Sequence, residues 1–434
     1  MSTEGTILLT FFLLVVLILG RVPIFLSLGI AGIVGIYLIR GLIGLSQAPL
    51  SIIAQLANFT LVAVPLYILL GEILFNTGVG PDLYEAAHRW LYRIPGGLAI
   101  ASIFAAAIFG AMCGVSIAGV AVIGIIAVPE MLKRGYDRSL AAGSVTASGA
   151  LAMLIPPSIL FILYASVSKT SVGQLFIGGI IPGIFLAITM ALYVLMRVML
   201  NPTLAPLPDE KFSWSEKLIA LKRLWPPLVL IILILGSIYT GFCTPTEAAA
   251  VACVGALVIA HFIYHSLTWD NLKSIFSAST RTSASILIIL ACAFIFSQFL
   301  TYTRVPDRVS EFCTKLPWPP YAVILLIMLI YVFMGMLIDA ASITIISTPI
   351  FLPAIEALGY DPLWFGIILV MNMEMAVITP PVGLNLYTMK SIIPELSLEE
   401  ILRGALPYVF IEFAVLIPFI FYPELALWLP KMMK

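Results

Sequence analysis

The sequence has 434 residues, of which 62% are hydrophobic and 10% charged, and its mean hydropathy is +1.13. Soluble domains carry about 25% charged residues, so this composition excludes a soluble protein and predicts one whose apolar surface faces a lipid bilayer. The 22 basic and 22 acidic side chains cancel, and this balance gives no indication of a nucleic-acid partner.

Apolar segments long enough to cross a bilayer recur along the chain, for example Ile7–Gly20, Ala99–Val128, Ser139–Val167 and Tyr321–Ile338. The first of them has no basic region ahead of it, so we interpret it as a membrane segment and not as a removed signal. Because one crossing takes about 20 residues, we expect about ten to twelve spans together with shorter membrane-embedded pieces. Barrel strands would alternate polar and apolar residues, which these segments do not. The sequence therefore predicts an all-α polytopic membrane protein.

A polar connector near the middle of the chain separates two halves that contain the same pattern of proline and Gly-Tyr-Asp positions. Three features recur after 224 residues: Pro129, Gly135–Asp137 and Pro156-Pro157 in the first half, and Pro353, Gly359–Asp361 and Pro380-Pro381 in the second. Such self-similarity indicates a duplicated unit. The predicted regions are N-terminal scaffold helices in 1–95, a first transport repeat in 96–200, the connector in 201–224, a second scaffold segment in 225–318, a second transport repeat in 319–400 and a C-terminal helix in 401–434.

The charged loops predict the orientation of the two repeats. Lys133, Arg134 and Arg138 flank the first Gly-Tyr-Asp loop, whereas residues 354–362 contain no Lys or Arg. By the positive-inside rule the first loop is cytoplasmic and the second external, which makes the repeats inverted. The basic residues within 304–315, ahead of the second repeat, count in part against this assignment.

Each double proline interrupts an apolar stretch. Two successive prolines break a helix, because proline lacks an N–H and clashes with the preceding turn. In lipid the freed backbone groups are costly unless they line a polar cavity or bind an ion. Corresponding breaks in two halves are typical of transporter binding sites. We therefore predict a site at both breaks; the alternative is a structural kink packed against neighbouring helices.

The apolar stretch ahead of each loop is predicted to form a re-entrant hairpin. Residues 99–128 carry the small-residue run Phe109–Gly119 at their middle, and the counterpart Tyr321–Pro353 carries Gly335 and Asp339. Small residues can end one half-helix and begin another, although close helix packing is the alternative. Each half would then present a hairpin tip to a broken helix, where carbonyl and hydroxyl oxygens suit a hard cation such as Na⁺.

Four segments resemble the large membrane subunit of tripartite ATP-independent periplasmic (TRAP) transporters, and the resemblance covers most of the chain. They are Val64–Glu72 (VPLYILLGE), Ile155–Ser158 (IPPS), Thr244–Ala250 (TPTEAAA) and Ile378–Leu386 (ITPPVGLNL). The resemblance implies an elevator-type transporter of the bacterial inner membrane that imports an organic anion, such as a sugar acid or dicarboxylate, with the sodium gradient. It also implies two partners, a small four-helix membrane subunit and a periplasmic substrate-binding protein.

The resemblance further places sodium ligands at the hairpin tips and helix breaks. Carried over to this sequence, it implies a first sodium site at Gly110, Cys113, Ala152, Ile155 and Pro157, and a second at Gly335, Ala376, Thr379 and Val382. The chain departs from the family pattern, which usually has glycine at Ala152 and Ala376 and often serine at Cys113 and Val115. Loss of those hydroxyls makes Ser116 the nearby candidate ligand at the first site.

Polar side chains beside the breaks are further candidates. Acidic residues inside a membrane are costly and usually functional, so Asp339 is assigned to the second sodium site, as a ligand or as a brace of the hairpin. Glu374 is assigned to the substrate cavity. The other residues predicted to line this cavity are Ser158, Asn372, Pro156, Pro380, Pro381 and Asn385.

Two other functions compete with that of a tripartite importer. A self-sufficient sodium–anion symporter of related architecture would transport without a binding protein. A membrane-embedded enzyme would need a nucleophile or metal motif such as GxSxG or HExxH, and neither occurs. The five scattered cysteines predict no disulfide framework or metal cluster, so Na⁺ is expected as the coupling ion and no cofactor is expected.

Overall fold

The computed structural model describes residues 2–207 and 212–433, and this part of the chain is helical without a β-strand. Its α-helices are α1 (Thr3–Leu19), α2 (Ile24–Leu56), α3 (Ala63–Phe75), α4 (Val79–Leu91), α5 (Gly97–Cys113), α6 (Ser116–Lys133), α7 (Arg138–Ser148), α8 (Ile159–Ser168), α9 (Val172–Leu200), α10 (Trp214–Lys222), α11 (Trp225–Tyr239), α12 (Pro245–Phe262), α13 (Trp269–Thr303), α14 (Val305–Lys315), α15 (Pro320–Gly335), α16 (Ala340–Ala357), α17 (Pro362–Ile378), α18 (Leu384–Ile392), α19 (Leu398–Phe421) and α20 (Glu424–Lys431). Short 3₁₀ turns cover Phe59–Val62, Gly149–Met153 and Pro202–Leu204. The predicted all-α membrane fold is confirmed.

The apolar helices include full-length spans and shorter pieces. Among the described residues, 7 helices are long and apolar enough to cross a membrane, or 9 if two bent helix pairs each count as one span. Five shorter apolar helices of 10–17 residues, among them α1, α5 and α17, add further membrane-embedded pieces. Several apolar stretches are divided: 99–128 forms the two helices α5 and α6, and 139–167 forms α7 and α8. Hydropathy alone does not distinguish such half-helices from complete spans.

The longest helices, α2 with 33 residues and α13 with 35, pack against each other, and α1 packs on α2. Glycines on α2 allow a close approach. A Cβ atom at Gly32 would lie 2.8 Å from the backbone nitrogen of Phe296, and one at Gly35 would lie 2.6 Å from the ring of Phe299. These three helices form a unit that is largely separate from the two repeats, although α13 also contacts α16.

The connector of residues 201–224 contains a short helix, α10, which the sequence analysis did not predict. Its start is fixed by a capping box, in which the Ser213 hydroxyl accepts from the Glu216 amide and the Glu216 carboxylate accepts from the Ser213 amide. This pairing satisfies two amides that the helix itself cannot. The connector residues 208–211 lie outside the described part of the chain.

Contacts with α19 establish the relative direction of the two repeats. At the start of α7, Arg138 Nε donates to Glu400 Oε1 in the first turn of α19 at 2.6 Å. At the start of the equivalent helix α17, the Trp364 indole donates to the carbonyl of Phe419, near the other end of α19, at 2.8 Å. The equivalent helices α7 and α17 therefore begin at opposite ends of α19. The repeats are inverted, as the charged loops predicted.

Candidate functional site

The first hairpin tip lies directly against the first helix break. Gly114 ends α5 in a left-handed conformation (φ +65°), and a Cβ atom there would lie 2.3 Å from the carbonyl oxygen of Pro157. One turn earlier, a Cβ at Gly110 would lie 2.6 Å from Cα of Ala152. Contacts under 3.0 Å leave no room for a side chain, so both positions need glycine. The structure thus brings Gly110, Ala152 and Pro157 together.

The remaining residues predicted for the first sodium site have separate roles in the local structure. The Cys113 thiol is buried and points at the Val115 carbonyl, 3.8 Å away. The Ile155 side chain packs against the position of Gly183 in α9, which leaves only its backbone for ion binding. The Ser116 hydroxyl lies at the tip, where α6 begins.

At the first break, Ser158 caps the start of helix α8. The 3₁₀ turn Gly149–Met153 ends α7, and α8 begins after Ser158. The Ser158 hydroxyl accepts from the Phe161 amide at 3.4 Å and donates to the Met153 carbonyl. This satisfies backbone groups that the break exposes. Ser158 was predicted to line the substrate cavity, but the structure engages its hydroxyl in holding the two half-helices together.

The second hairpin tip meets the second break in the same way. A Cβ atom at Gly335 would lie 2.3 Å from Cβ of Ala376, and the Val382 amide donates to the Met336 carbonyl at 3.3 Å. The Asp339 carboxylate caps α16, accepting from the Ser342 amide at 2.9 Å and from its hydroxyl at 2.6 Å. The structure therefore brings both tips to their breaks, and Asp339 caps the helix that follows the second tip.

At the second break, the side chains of Thr379 and Asn385 each have hydrogen-bond partners within the chain. The Thr379 hydroxyl donates to the Met375 carbonyl within its own helix at 2.5 Å. The Asn385 amide group donates to the Thr146 carbonyl in α7 at 3.2 Å, and its oxygen accepts from the Ser116 hydroxyl at 2.9 Å. Asn385 is fully buried. It therefore links the second break to the first tip and the first broken helix.

The donors around the two pairs suit an alkali cation. Helices α5 and α15 end at the tips, so their last carbonyls point out of the helix and carry the negative end of its dipole. Within the described residues there is no group of three or more His, Cys, Asp or Glu side chains that could hold a metal ion. Carbonyl and hydroxyl oxygens, which hard cations accept, are the groups that this architecture gathers at both tips.

A family model for the DctM component of tripartite ATP-independent periplasmic transporters matches residues 11–425 of this sequence. The chain belongs to this TRAP transporter family. This confirms the resemblance carried by the four motifs, and it confirms a multi-pass permease of the inner membrane. The helix-break pairs described above lie wholly inside the matched region.

Individual relatives and a solved structure agree with this assignment. A C4-dicarboxylate TRAP transporter large permease from Pseudomonas aeruginosa is 36% identical over 376 residues, which is 86% of this chain and 87% of the relative. A 2,3-diketo-L-gulonate TRAP transporter large permease from Escherichia coli is 30% identical, covering 85% and 86%. The YdaH transporter structure from Alcanivorax borkumensis has a TM-score of 0.68 at 16% identity, covers 89% of this chain and 90% of that one, and shares the fold.

Asn372 and Glu374 were both predicted to line the substrate cavity of this TRAP subunit, but they lie on opposite faces of α17. The Asn372 amide donates to the Met328 carbonyl in α15 at 3.0 Å, and Ala376 also faces α15. Residues two apart on a helix point about 200° apart, so Glu374 faces away from the second tip. The structure does not bring Glu374 into the pair formed by Gly335 and Ala376.

A cavity that was not predicted from the sequence lies beside the first tip. It has a volume of about 290 Å³ and lies between α3, α6 and α13. Its lining includes Glu72, Val115 and Thr282. The acid at the end of the Val64–Glu72 motif was the available signal, because an acid inside an apolar segment needs a partner or a polar cavity.

Proposed function

We propose that this subunit imports an organic carboxylate together with Na⁺, receiving the solute from a periplasmic binding protein and working beside a small four-helix membrane subunit. The observation that supports this most directly is the docking of each hairpin tip on a helix break, with Asn385 joining the two pairs. Broken helices at corresponding positions of inverted repeats are how secondary transporters build their binding sites.

Na⁺ binds, in this proposal, where the last carbonyls of α5 and α15 meet the two breaks. The first site uses backbone oxygens near Gly110, Cys113, Ala152, Ile155 and Pro157 with the Ser116 hydroxyl, and the second uses those near Gly335, Ala376, Thr379 and Val382. Asp339 acts on the second site by fixing the start of α16. Because the ion holds each tip to its break, loss of Na⁺ separates groups that the solute needs in register.

The solute is an organic carboxylate that binds beside the second break. Relatives named for C4-dicarboxylates and 2,3-diketo-L-gulonate both take carboxylates. Pro381 at the second break is exposed, whereas Pro156 and Pro157 are buried. The first turn of α18, starting after Gly383, directs free amides and a positive dipole toward this opening, which favours an anion.

Transport follows an elevator mechanism in which the two repeats move together against α1, α2 and α13. The Asn385 contacts make the two hairpin–break pairs one unit. The opposing unit is built on the long α2–α13 contact. On the outer side of α1 and α2, large apolar side chains are exposed, including Leu8, Phe12, Leu42 and Ile43. That surface is available to lipid and to the small membrane subunit.

The test is uptake of radiolabelled carboxylates into proteoliposomes that contain this chain, with the small subunit and the binding protein added in turn. We expect uptake only when all three components are present and the sodium gradient points inward. Uptake that needs ATP, or that ignores sodium, would refute the proposal. Sodium-driven uptake by this chain alone would favour the competing self-sufficient symporter and remove the two protein partners.

A further inference from the structure

A second intramembrane acid, which the proposed transport cycle does not use, lies beside Glu374. Glu412 occupies the middle of α19 and is 2% exposed, while Glu374 in α17 is fully buried. The two helices pack against each other, and the carboxyl groups are close enough to interact electrostatically. This pair faces away from the second hairpin tip, so it is separate from the two hairpin–break pairs.

The helix register independently places the two acids at similar depth. The hydrogen bond from the Trp364 indole to the Phe419 carbonyl joins the start of α17 to the end of α19, so the two helices are antiparallel. At 1.5 Å per residue, Glu374 lies about 15 Å and Glu412 about 10 Å from this shared end. The difference is about one helical turn, which a glutamate side chain spans.

Neither acid is satisfied by the chain. All four carboxyl oxygens are buried without a hydrogen-bond partner. Within residues 2–207 and 212–433, the ion pairs of the protein involve other acids, and no basic side chain pairs with Glu374 or Glu412. A buried carboxylate without a counter-charge is among the most costly groups in a membrane protein. A positively charged ligand that is not part of the polypeptide would remove this cost.

Two kinds of ligand could neutralise this pair: protons, or a cation that bridges the two carboxyl groups. The four oxygens have no hydrogen-bond partner in the chain, so their lone pairs are free to bind a cation. A hard cation takes carboxylate oxygens at about 2.3–2.6 Å, so it can bridge oxygens that lie about 5 Å apart. One Na⁺, with a proton on one of the two carboxyl groups, leaves the pair neutral.

We propose that Glu374 and Glu412 form a further Na⁺ site between α17 and α19. The proposal rests on sodium coupling as put forward above and adds one ion to it. An ion here ties α17, which ends at the second break, to α19, whose glycine Gly404 contacts Gly143 of the first broken helix. The site therefore couples cation binding to the position of α17 relative to the first repeat.

The experiment counts bound ²²Na⁺ per chain in the full-length protein purified with its small subunit. E374Q, E412Q and the double variant should each bind one Na⁺ fewer than the unmodified chain, and the double variant should lose no more than either single one. The control is E399Q, an exposed acid on the same helix as Glu412, which should retain the full count. An unchanged count in both single variants would overturn the proposal.

A stability measurement separates ion binding from a structural role. Glutamine is isosteric and breaks no hydrogen bond here, so E412Q in K⁺ medium should melt at or above the temperature of the unmodified protein, while its stabilisation by Na⁺ should shrink. A large loss of stability in K⁺ would instead indicate a structural carboxyl group and overturn the proposal. Should E412Q not fold, E374Q and the carboxylate-retaining E412D decide: E374Q loses one ion and E412D keeps it.

Two further outcomes have defined meanings. If the variants keep their Na⁺ count and lose only proton uptake, the pair binds protons and the sodium site is refuted. If the unmodified chain binds Na⁺ but uptake does not depend on it, the proposed transport function fails while the ion count still tests this pair. The failure of one proposal is therefore distinguishable from the failure of the other.

Discussion

The two hairpin–break pairs share one construction but differ in how the rest of the chain covers them. At the first pair, Cys113, Gly114 and Ser116 of the tip and both prolines of the break are buried. At the second pair, Leu337 at the tip is 52% exposed and Pro381 is also exposed. Two pairs of the same construction thus differ in burial within one conformation, the first enclosed by the chain and the second partly exposed at its surface.

The contacts within each pair also differ. At the first pair the tip backbone touches the break backbone, since Gly114 leaves no room for a Cβ atom above the Pro157 carbonyl. At the second pair the contact that excludes a side chain is with the methyl group of Ala376, and one amide–carbonyl hydrogen bond, 3.3 Å long, joins the tip to Val382. A substitution can remove a methyl group but not a backbone atom, so the close contact of the second pair can be relieved by mutation and that of the first cannot.

The largest effect is expected from G110A, which tests the tight backbone contact of the first pair. The added methyl group would lie 2.6 Å from Cα and 3.1 Å from the backbone nitrogen of Ala152. Overpacking of this kind costs about 1–3 kcal/mol, so we expect sodium-dependent uptake to fall by about 5- to 150-fold. G236A is the matched control, because a Cβ at Gly236 meets nothing closer than 3.9 Å. Normal uptake by G110A would show that the first tip does not need its close backbone contact with the break.

A smaller and reversible effect is expected from G335A at the second pair. Its new methyl group would lie 2.3 Å from Cβ of Ala376, while Cα of Ala376 is 3.2 Å away. Removing that neighbour should therefore relieve the clash, and G335A/A376G should recover most of the uptake that G335A loses. The corresponding pair G110A/A152G should recover little, because the clash with backbone atoms stays. Equal recovery in both double variants would contradict the comparison. Uptake in proteoliposomes and expression level are the measurements.

N385A, which separates the two pairs from each other, is expected to have a smaller effect than G110A and a larger one than D339N. The variant removes the bonds to Ser116 and to the Thr146 carbonyl and leaves both partners buried, at a cost of about 1–3 kcal/mol. We expect sodium activation of uptake to become less cooperative, because the two sites would no longer share a side chain. S116A breaks only one of the two bonds and should show a weaker change. Unaltered cooperativity in N385A would mean that the sites communicate by another route.

Much of this arrangement could be predicted from the sequence because it follows from backbone chemistry. Pro156-Pro157 and Pro380-Pro381 lie deep inside apolar stretches, where two successive prolines break a helix, and the identical spacing of the loops showed the duplication. The small residues around Gly110 and Gly335 indicated close approach without identifying the neighbour. In each case the predicted neighbour, the break of the same half, is the one that the structure shows.

Side-chain direction was the part that the sequence could not supply. The two-residue spacing of Asn372 and Glu374 puts them on opposite faces of a helix, but the sequence did not show which face of α17 meets the second tip. Glu412, the companion of Glu374, is 38 residues away in α19, so only the packing of the two helices reveals the pair. Asn385 likewise was placed at the right break, but its contacts with the first repeat depend on the inverted arrangement of the two halves.

The smallest effect is expected from D339N, which tests whether Asp339 braces the second hairpin tip or binds the ion. Both Asp339 oxygens accept from Ser342, and at the first tip Val115 offers no side-chain cap, so we infer that the carboxylate braces the hairpin and does not ligate the ion. Asparagine caps a helix about as well as aspartate, so D339N should change the half-saturating Na⁺ concentration by less than about twofold, while D339A should cost about 0.5–2 kcal/mol of stability.

The matched control for this prediction is D361N, since Asp361 caps α17 by accepting from the Leu363 amide at 2.7 Å, away from either tip. If Asp339 bound Na⁺ directly, D339N would raise the half-saturating Na⁺ concentration as strongly as D339A, and D361N would not. That result would give the second pair a charged ligand with no equivalent at the first. The two pairs would then differ in the chemistry of ion binding as well as in their exposure, and the more exposed site would be the stronger one.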